Sequence, residues 1–320
     1  MANTLVLESI TEYATLMHLP LYHPDIAVFD MSKVGPIVPV RHVHKFNTLV
    51  LRKTSGKPFL YGDGTYRYRN GSVLAISPMQ MAGPSKAYMK GYTPTGRVLA
   101  WSNDMFHGTR VGQMYFDYLF LSYRSNSSLD VNDQERTIIE RNLNLLNTML
   151  EERGKDVNIL LAARLVSEIL DTCMTTFKRQ YDLYCKSPIG LLSRVESYVY
   201  RWFYKGLAKK HGQPRVSDLA RECGLNSSYF GDRFRQLTGV SVKEYINFWT
   251  IEAAKEILSN GWTSLSDVAC LVGFRRENHF SAYFKKATGM TPSEYQTNRF
   301  RLLRFCRTEI EDSEKAARNC

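Results

Sequence analysis

The sequence predicts an α+β chain. A small antiparallel β-barrel with two amphipathic helices comes first, and an all-α half with two helix-turn-helix motifs follows. Three observations predict this. Between about Asp25 and Trp101, short runs rich in β-branched and aromatic residues alternate with turn residues. Beyond about Leu129 the apolar period becomes helical. From Asp218 onward one pattern is written twice, first as "DLARECGLNSSYFGDRFRQLTGVSVKEY" and then as "DVACLVGFRRENHFSAYFKKATGMTPSEY".

The strand candidates are "IAVFD", "FNTLVLRK", "TYRYR" and "SVLAISP". Asp63-Gly64 and Asn70-Gly71 separate them and predict hairpins, because glycine and asparagine tolerate positive φ. In "LDVNDQERTIIERNLNLLNTMLEERG", Asn132 stands three residues before Glu135, the spacing of a capping box. Ile138, Ile139, Leu143, Leu146 and Leu150 then follow at helical spacing, and Gly154 ends the run. "DVNILLAARLVSEILDTCMTTF" predicts a second amphipathic helix. Apolar faces this broad serve either core packing or a dimer seam. "CKSPIGL", with Pro188, marks the boundary between the halves. The expected divisions are residues 1–186, a helical domain 187–308 with motifs at about 216–239 and 265–289, and a polar tail 309–320.

In the repeat, Asp218/Asp267, Ala220/Ala269, Gly224/Gly273, Phe230/Phe280, Phe234/Phe284, Thr238/Thr288, Gly239/Gly289, Glu244/Glu294 and Tyr245/Tyr295 match. The small alanines let a second helix approach closely. Gly224 and Gly273 sit where a helix must stop in the left-handed conformation. Leu225 and Phe274 plug the gap between helices, and Asn226 and Asn278, or a neighbour, start the next helix. The phenylalanine pairs at i, i+4 bury one face of it. Ser241 and Thr291 each precede a glutamate by three residues, again a capping-box spacing. Helix, glycine turn, helix is the unit that sets its second helix into the major groove of DNA. "INFWTIEAAKEILSNGW" joins the two units as a helical connector with apolar Ile246, Trp249, Ala253 and Ile257 among polar residues.

Charge points the same way. The chain has 320 residues and a formal net charge of +11. Residues 187–308 carry 19 Lys/Arg against 10 Asp/Glu, or +9, whereas residues 1–186 carry 21 against 17, or +4, and the last twelve carry 2 against 4. A basic second half fits a polyanion partner. No apolar run approaches about 18 residues, so no membrane span is expected. The N-terminus lacks a basic segment before an apolar core, and Glu8 and Glu12 interrupt it, so no secretory signal is read. The six cysteines (Cys173, Cys185, Cys223, Cys270, Cys306, Cys320) form no C-x-x-C pair, which favours reduced thiols and a cytoplasmic location.

Residues of about 190–300 resemble the DNA-binding domain of the AraC/XylS-type bacterial transcription regulators, most closely in "DVACLVGFRRENHFSAYFKKATGMTPSEY". Arg201 to Tyr204 would belong to that domain's first helix. "YRYRNGSVLAISPMQ", "VLAWSNDMFHGT" and "DVNDQE" are similar to the family's companion domain, a cupin-like barrel that senses a ligand or dimerises. Thr250 stands where the family's connector has Arg, and "VSVKEY" lacks the proline that "MTPSEY" keeps. The resemblance implies a non-enzymatic regulator that binds double-stranded DNA as a homodimer, contacts RNA polymerase and answers to a small effector held by the barrel.

By the family's geometry, the early face of each second helix meets base edges. In copy two those positions are Arg276, Glu277, Asn278 and Ser281; in copy one they include Ser228 and Asp232, with Gly231 between them. Asn pairs with adenine, Arg with guanine, and Glu accepts from cytosine. Asn278 and Glu277 could alternatively act as helix caps. Lys285, Lys286, Arg233 and Arg235 are expected phosphate contacts. The second motif should therefore dominate sequence choice and the first should position the protein. His42 and His44 in "RHVHKF" share a strand face and are candidates for the effector pocket. A rival reading is a metal-dependent barrel enzyme fused to a DNA-binding domain, using His42, His44, Asp63 and His107. Another is an architectural DNA-binding protein. Neither a cofactor nor a metal is expected.

Overall fold

The computed structural model describes residues 5–36, 41–53, 59–61, 64–66, 70–84, 93–122, 128–184, 190–261 and 263–318. The N-terminal half holds β1 (Leu5–Leu7), α1 (Ile10–Leu16), β2 (Ile26–Asp30), β3 (His42–His44), β4 (Asn47–Leu51), β5 (Phe59–Tyr61), β6 (Gly64–Tyr66), β7 (Ser72–Ile76), β8 (Met81–Pro84) and β9 (Arg97–Trp101). The short helices α2 (Asn103–Phe106) and α3 (Arg110–Gln113) lead to β10 (Leu129–Asp130), α4 (Asp133–Arg153) and α5 (Ile159–Tyr184).

The expected barrel is corrected to two five-stranded sheets, ordered β1-β3-β8-β5-β6 and β10-β7-β4-β9-β2, which do not close on each other. Nor is the pairing wholly antiparallel, since β1 runs parallel to β3, with Leu5 opposite His42. β5 pairs antiparallel with β6, with Tyr61 opposite Gly64, while Asp63 lies outside the described residues. Asn70-Gly71 joins strands of different sheets instead of forming a hairpin. Gly71 takes the positive φ (84°) that the dipeptide signals. Its N–H is spent on Arg52 O at 2.9 Å, which docks the turn beside β4 and not against β6.

Alternation places the cores. Val98 and Ala100 of β9 join Ala27 and Phe29 under α1, beside Ile10, Tyr13 and Ala14. Leu99 and Trp101 point the other way, into the main core with Leu49, Leu51 and Val73. Burial on both faces explains why these strands read as apolar runs.

The Asn132–Glu135 capping box forms, with both reciprocal bonds present at the start of α4. Ile139, Leu143, Leu146 and Leu150 are buried, and α4 packs along α5. Packing of α4 along α5 thus accounts for the burial of these four residues.

The boundary proposed at residues 185–189 lies outside the described residues. After it come α6 (Leu191–Tyr204), α7 (Leu207–His211), α8 (Val216–Glu222), α9 (Ser227–Thr238), α10 (Val242–Ser259), α11 (Leu265–Leu271), α12 (Glu277–Thr288) and α13 (Pro292–Arg318). The expected polar tail is helical, because residues 309–318 continue α13. That helix reaches back to the first half: Asn158 Nδ2 donates to Cys306 O at 2.8 Å and to Glu309 Oε2 at 2.9 Å. No helix among the described residues is long and apolar enough to cross a membrane. Cys173, Cys223, Cys270 and Cys306 are free thiols. Cys185 and Cys320 lie outside the described residues.

Candidate nucleic-acid interface

The two repeats fold alike, and most shared residues have the same task twice. Gly224 and Gly273 take φ of +71° and +88° after α8 and α11. This turns the chain so that Leu225 N–H reaches Ala220 O at 2.9 Å and Phe274 N–H reaches Ala269 O at 2.8 Å. The next helix then begins. Asn226 caps α9 by accepting the Tyr229 N–H. Copy two differs, since Arg276 holds the cap position of α12 without a side-chain bond. Asn278 lies inside α12, its Oδ1 accepting the His279 N–H at 2.9 Å, so the alternative that Asn278 or Glu277 caps the helix is not what forms.

The inner faces match closely. Phe230 and Phe234 pack at 6.0 Å between ring centroids, Phe280 and Phe284 at 5.7 Å, and all four are buried. Tyr245 meets Phe234 edge-on at 5.4 Å, and Tyr295 meets Phe284 at 5.6 Å. The hydroxyls of Thr238 and Thr288 donate to the carbonyls of Phe234 (2.8 Å) and Phe284 (2.9 Å). Gly239 and Gly289 then end the helices at φ +76° and +82°. Ser241 with Glu244, and Thr291 with Glu294, form reciprocal caps on the bracing helices α10 and α13. The backbone and side-chain bonds from Thr291 hold the Glu294 carboxyl below its ordinary range. Pro292 takes the first helical position of α13, where no N–H is needed, and Val242 fills that place in α10.

The outer faces differ. Arg276, Glu277, Asn278, Lys285 and Lys286 are exposed on α12, and Ser281 is half-buried. Ser228, Asp232, Arg233 and Arg235 are exposed on α9. Sequence reasoning missed Tyr229, which is 55% exposed in the first turn of α9, and exposed His279 at the matching position of copy two. An aromatic ring at the same register in both copies, outside the buried i, i+4 set, was the available signal.

His42 and His44 share a face, as expected, and stack at 4.6 Å. His44 is also stacked on Phe46 at 4.6 Å and met edge-on by Tyr13 at 5.5 Å. Burial, with a smaller push from His42, holds it well below the ordinary histidine range and so neutral. Its surroundings are those of a packed ring.

His107 lies elsewhere, against the connector. Among the polar residues of α10, Glu252, Lys255, Glu256 and Ser259 are buried. His107 Nδ1 stands 2.9 Å from Glu256 Oε2 and Nε2 stands 3.3 Å from Glu252 Oε2. Lys255 Nζ lies 2.7 Å from Asp104 Oδ1 and 3.3 Å from Glu252 Oε1. Burial opposes charge on His107, but the bonds and charges of Glu252 and Glu256 outweigh it and raise the imidazole to about 9. For Glu252 burial is likewise outweighed, chiefly by Lys255 and then His107, and the carboxyl falls. Asp104, His107 and Glu252 converge closely enough to share a cation, and Lys255 already supplies that charge. Among the described residues, the histidine trio of the metal-enzyme reading does not assemble.

Residues 219–298 match the helix-turn-helix domain family. LumQ of Photobacterium leiognathi, named as a probable transcriptional regulator, is 26% identical over 156 residues, covering 48% of this chain and 58% of that protein. The melibiose operon regulatory protein of Escherichia coli (strain K12) is 31% identical over 81 residues, 25% of this chain and 27% of its own length. The HTH-type transcriptional activator RhaR of Yersinia pseudotuberculosis is 38% identical over 81 residues, covering 25% and 28%. The chain thus spans a little over half the length of the first of these relatives and under a third of the others. The C-terminal domain of AraT, a response regulator from Geobacillus stearothermophilus, covers 35% of this chain and 89% of its own at 23% identity, with a TM-score of 0.31, too slight a likeness to argue from. Over its twice-written helix-turn-helix segment, the chain is thus similar to transcription regulators, among them a putative AraC-like one from Streptomyces lividans.

Proposed function

We propose that the chain is a sequence-specific transcription regulator that sets α9 and α12 into successive major grooves of double-stranded DNA. The observation that carries this reading is the repeat itself. Two motifs with the same internal contacts present exposed polar faces and are joined by a single continuous helix. Successive major grooves on one side of a duplex lie about 34 Å apart, a separation that a rigid connector can hold. Arg276, Glu277, Asn278 and Ser281 read bases, whereas Ser228 and Asp232 contribute little and copy one mainly positions the protein. Arg233, Arg235, Lys285 and Lys286 meet phosphates. The N-terminal half is the sensor or dimerisation part of a cytoplasmic homodimer that contacts RNA polymerase. A small effector seated in its cupin-like half near His42 and His44 would have to open the Tyr13–His44–Phe46 stack.

Binding-site selection with the purified full chain tests this. The wild type should enrich a defined sequence. Asn278→Ala should change the preferred bases and Asp232→Ala should leave them unchanged. The reverse result would overturn the ranking of the two copies. An unenriched pool would replace the regulator with an architectural DNA-binding protein.

A further inference from the structure

We propose that Asp104 and His107 are positioning residues for DNA recognition, bracing from the N-terminal half the two helices that follow the reading helices. This rests on the DNA-reading function proposed above. The turn at residues 104–108 touches both braces at once. Its side chains meet Glu252, Lys255 and Glu256 of α10, the helix that follows α9. Its backbone meets α13, the helix that follows α12: Arg299 donates through Nε to His107 O at 2.7 Å and through Nη2 to Met105 O at 2.8 Å. One turn of chain therefore fixes the relative placement of α10 and α13, and with it the spacing of α9 and α12.

The charges balance across these elements. Asp104, Glu252 and Glu256 supply three negative charges, and Lys255, Arg299 and a protonated His107 supply three positive ones. Tyr115 and the α6 residue Tyr204 line the same cavity as His107, Glu252 and Glu256. The Tyr295 ring of α13 lies within the field of Asp104 and Lys255. Buried ion networks are poor sources of net stability, because desolvation offsets attraction, but they penalise any arrangement that leaves one charge unpaired. Here the penalised arrangements are those in which α10 slides or tilts against the first half. The approach is also sterically specified. A Cβ on Gly112 would lie 2.6 Å from Glu256 Oε2, and one on Gly108 would lie 2.8 Å from Ser259 O. Both reading faces stay exposed while this contact is made, so its effect is on geometry and not on access.

The test uses the full chain and two duplexes: the two-box site obtained by selection and the same site with one box scrambled. His107→Gln removes the central charge and should weaken two-box binding about tenfold while leaving one-box binding within about twofold, since the pairing is lost but each motif is intact. Adding Glu256→Gln to that variant removes the orphaned carboxylate and should restore most of the two-box affinity. Asp104→Asn, at a half-exposed position that tolerates substitution, should shift the ratio in the same direction. Protonation of His107 is retained below about 9, so the two-box to one-box affinity ratio of the wild type should hold at neutral pH and fall as pH rises past that value. The ratio of His107→Gln should stay flat. Equal losses on both duplexes, or no loss in either His107→Gln or Asp104→Asn, would overturn the proposal. A wild type that selects no sequence would instead overturn the DNA-reading function beneath it.

Discussion

Gly224 and Gly273 occupy the same place in the two motifs, and the same substitution should cost very different amounts. Both hold a left-handed backbone, which an alanine adopts at a cost of about 1–2 kcal/mol, partly offset because alanine restricts the unfolded chain. Nothing lies within 4 Å of a Cβ built on Gly224, so Gly224→Ala should lose only that conformational cost, about 1 kcal/mol net. A Cβ on Gly273 would lie 2.6 Å from Gly212 C, 2.7 Å from Gly212 O and 2.9 Å from Gln213 N. That strand of chain cannot yield easily: Trp202 Nε1 donates to Gly212 O at 2.8 Å, Gly212 N–H donates to Ala208 O at 2.9 Å, and the Gln213 side chain donates to Val272 O. Overpacking of this kind adds about 1–3 kcal/mol, which puts Gly273→Ala near 3 kcal/mol in total. Urea denaturation of the full chain, followed by tryptophan fluorescence, reads the difference directly, since Trp202 sits at the affected contact. Equal losses for the two variants, or a larger loss for Gly224→Ala, would refute the steric argument.

Two further outcomes follow from the sites described. His44 is neutral when folded and takes up a proton on unfolding below its ordinary value of about 6.5, so its burial stabilises fully above that pH and progressively less as pH falls. His44→Phe, which extends the Tyr13–Phe46 packing, should remove about 1.4 kcal/mol per pH unit of acid sensitivity between roughly pH 6.5 and 5. Parallel stability curves for the two proteins across that range would count against it. Lys285→Gln should weaken binding to all DNA sequences alike and reduce the slope of log affinity against log salt by about 1. An altered base preference with an unchanged slope would show that Lys285 reads sequence instead.

The repeat was legible because its contacts are short-range in sequence. Phe234 meets Tyr245, Thr238 closes on Phe234, and Leu225 turns back to Ala220 past Gly224, all within a dozen residues, so residue type and spacing nearly determine the geometry. The N-terminal half was less legible. Strand candidates could be named, but the parallel pairing of β1 with β3 and the passage of Asn70-Gly71 between sheets depend on partners far along the chain. A turn dipeptide specifies its own φ and not which strand it delivers. The burial of the polar side of α10 was not legible for a related reason. Glu252, Lys255, Glu256 and Ser259 fall on one helical stripe, and a polar stripe ordinarily faces water. Its burial is bearable only because Asp104 and His107 bring matching charges from nearly 150 residues away. The candidate positions on α9 and α12 lie exposed or half-buried, yet Tyr229 escaped notice because an exposed tyrosine looks like a core tyrosine in a sequence.

The last helix has a consequence for how the protein is made. Asn158, at the start of α5, finds its partners on α13, and Cys306 lies 148 residues further along the chain. At roughly 5–20 residues per second on the ribosome, that interval is about 7–30 s. Over that interval Asn158 lacks the partners that α13 brings to it. A nascent chain stalled before residue 292 would leave Asn158 without these partners, so the contact between α5 and α13 forms only late in synthesis.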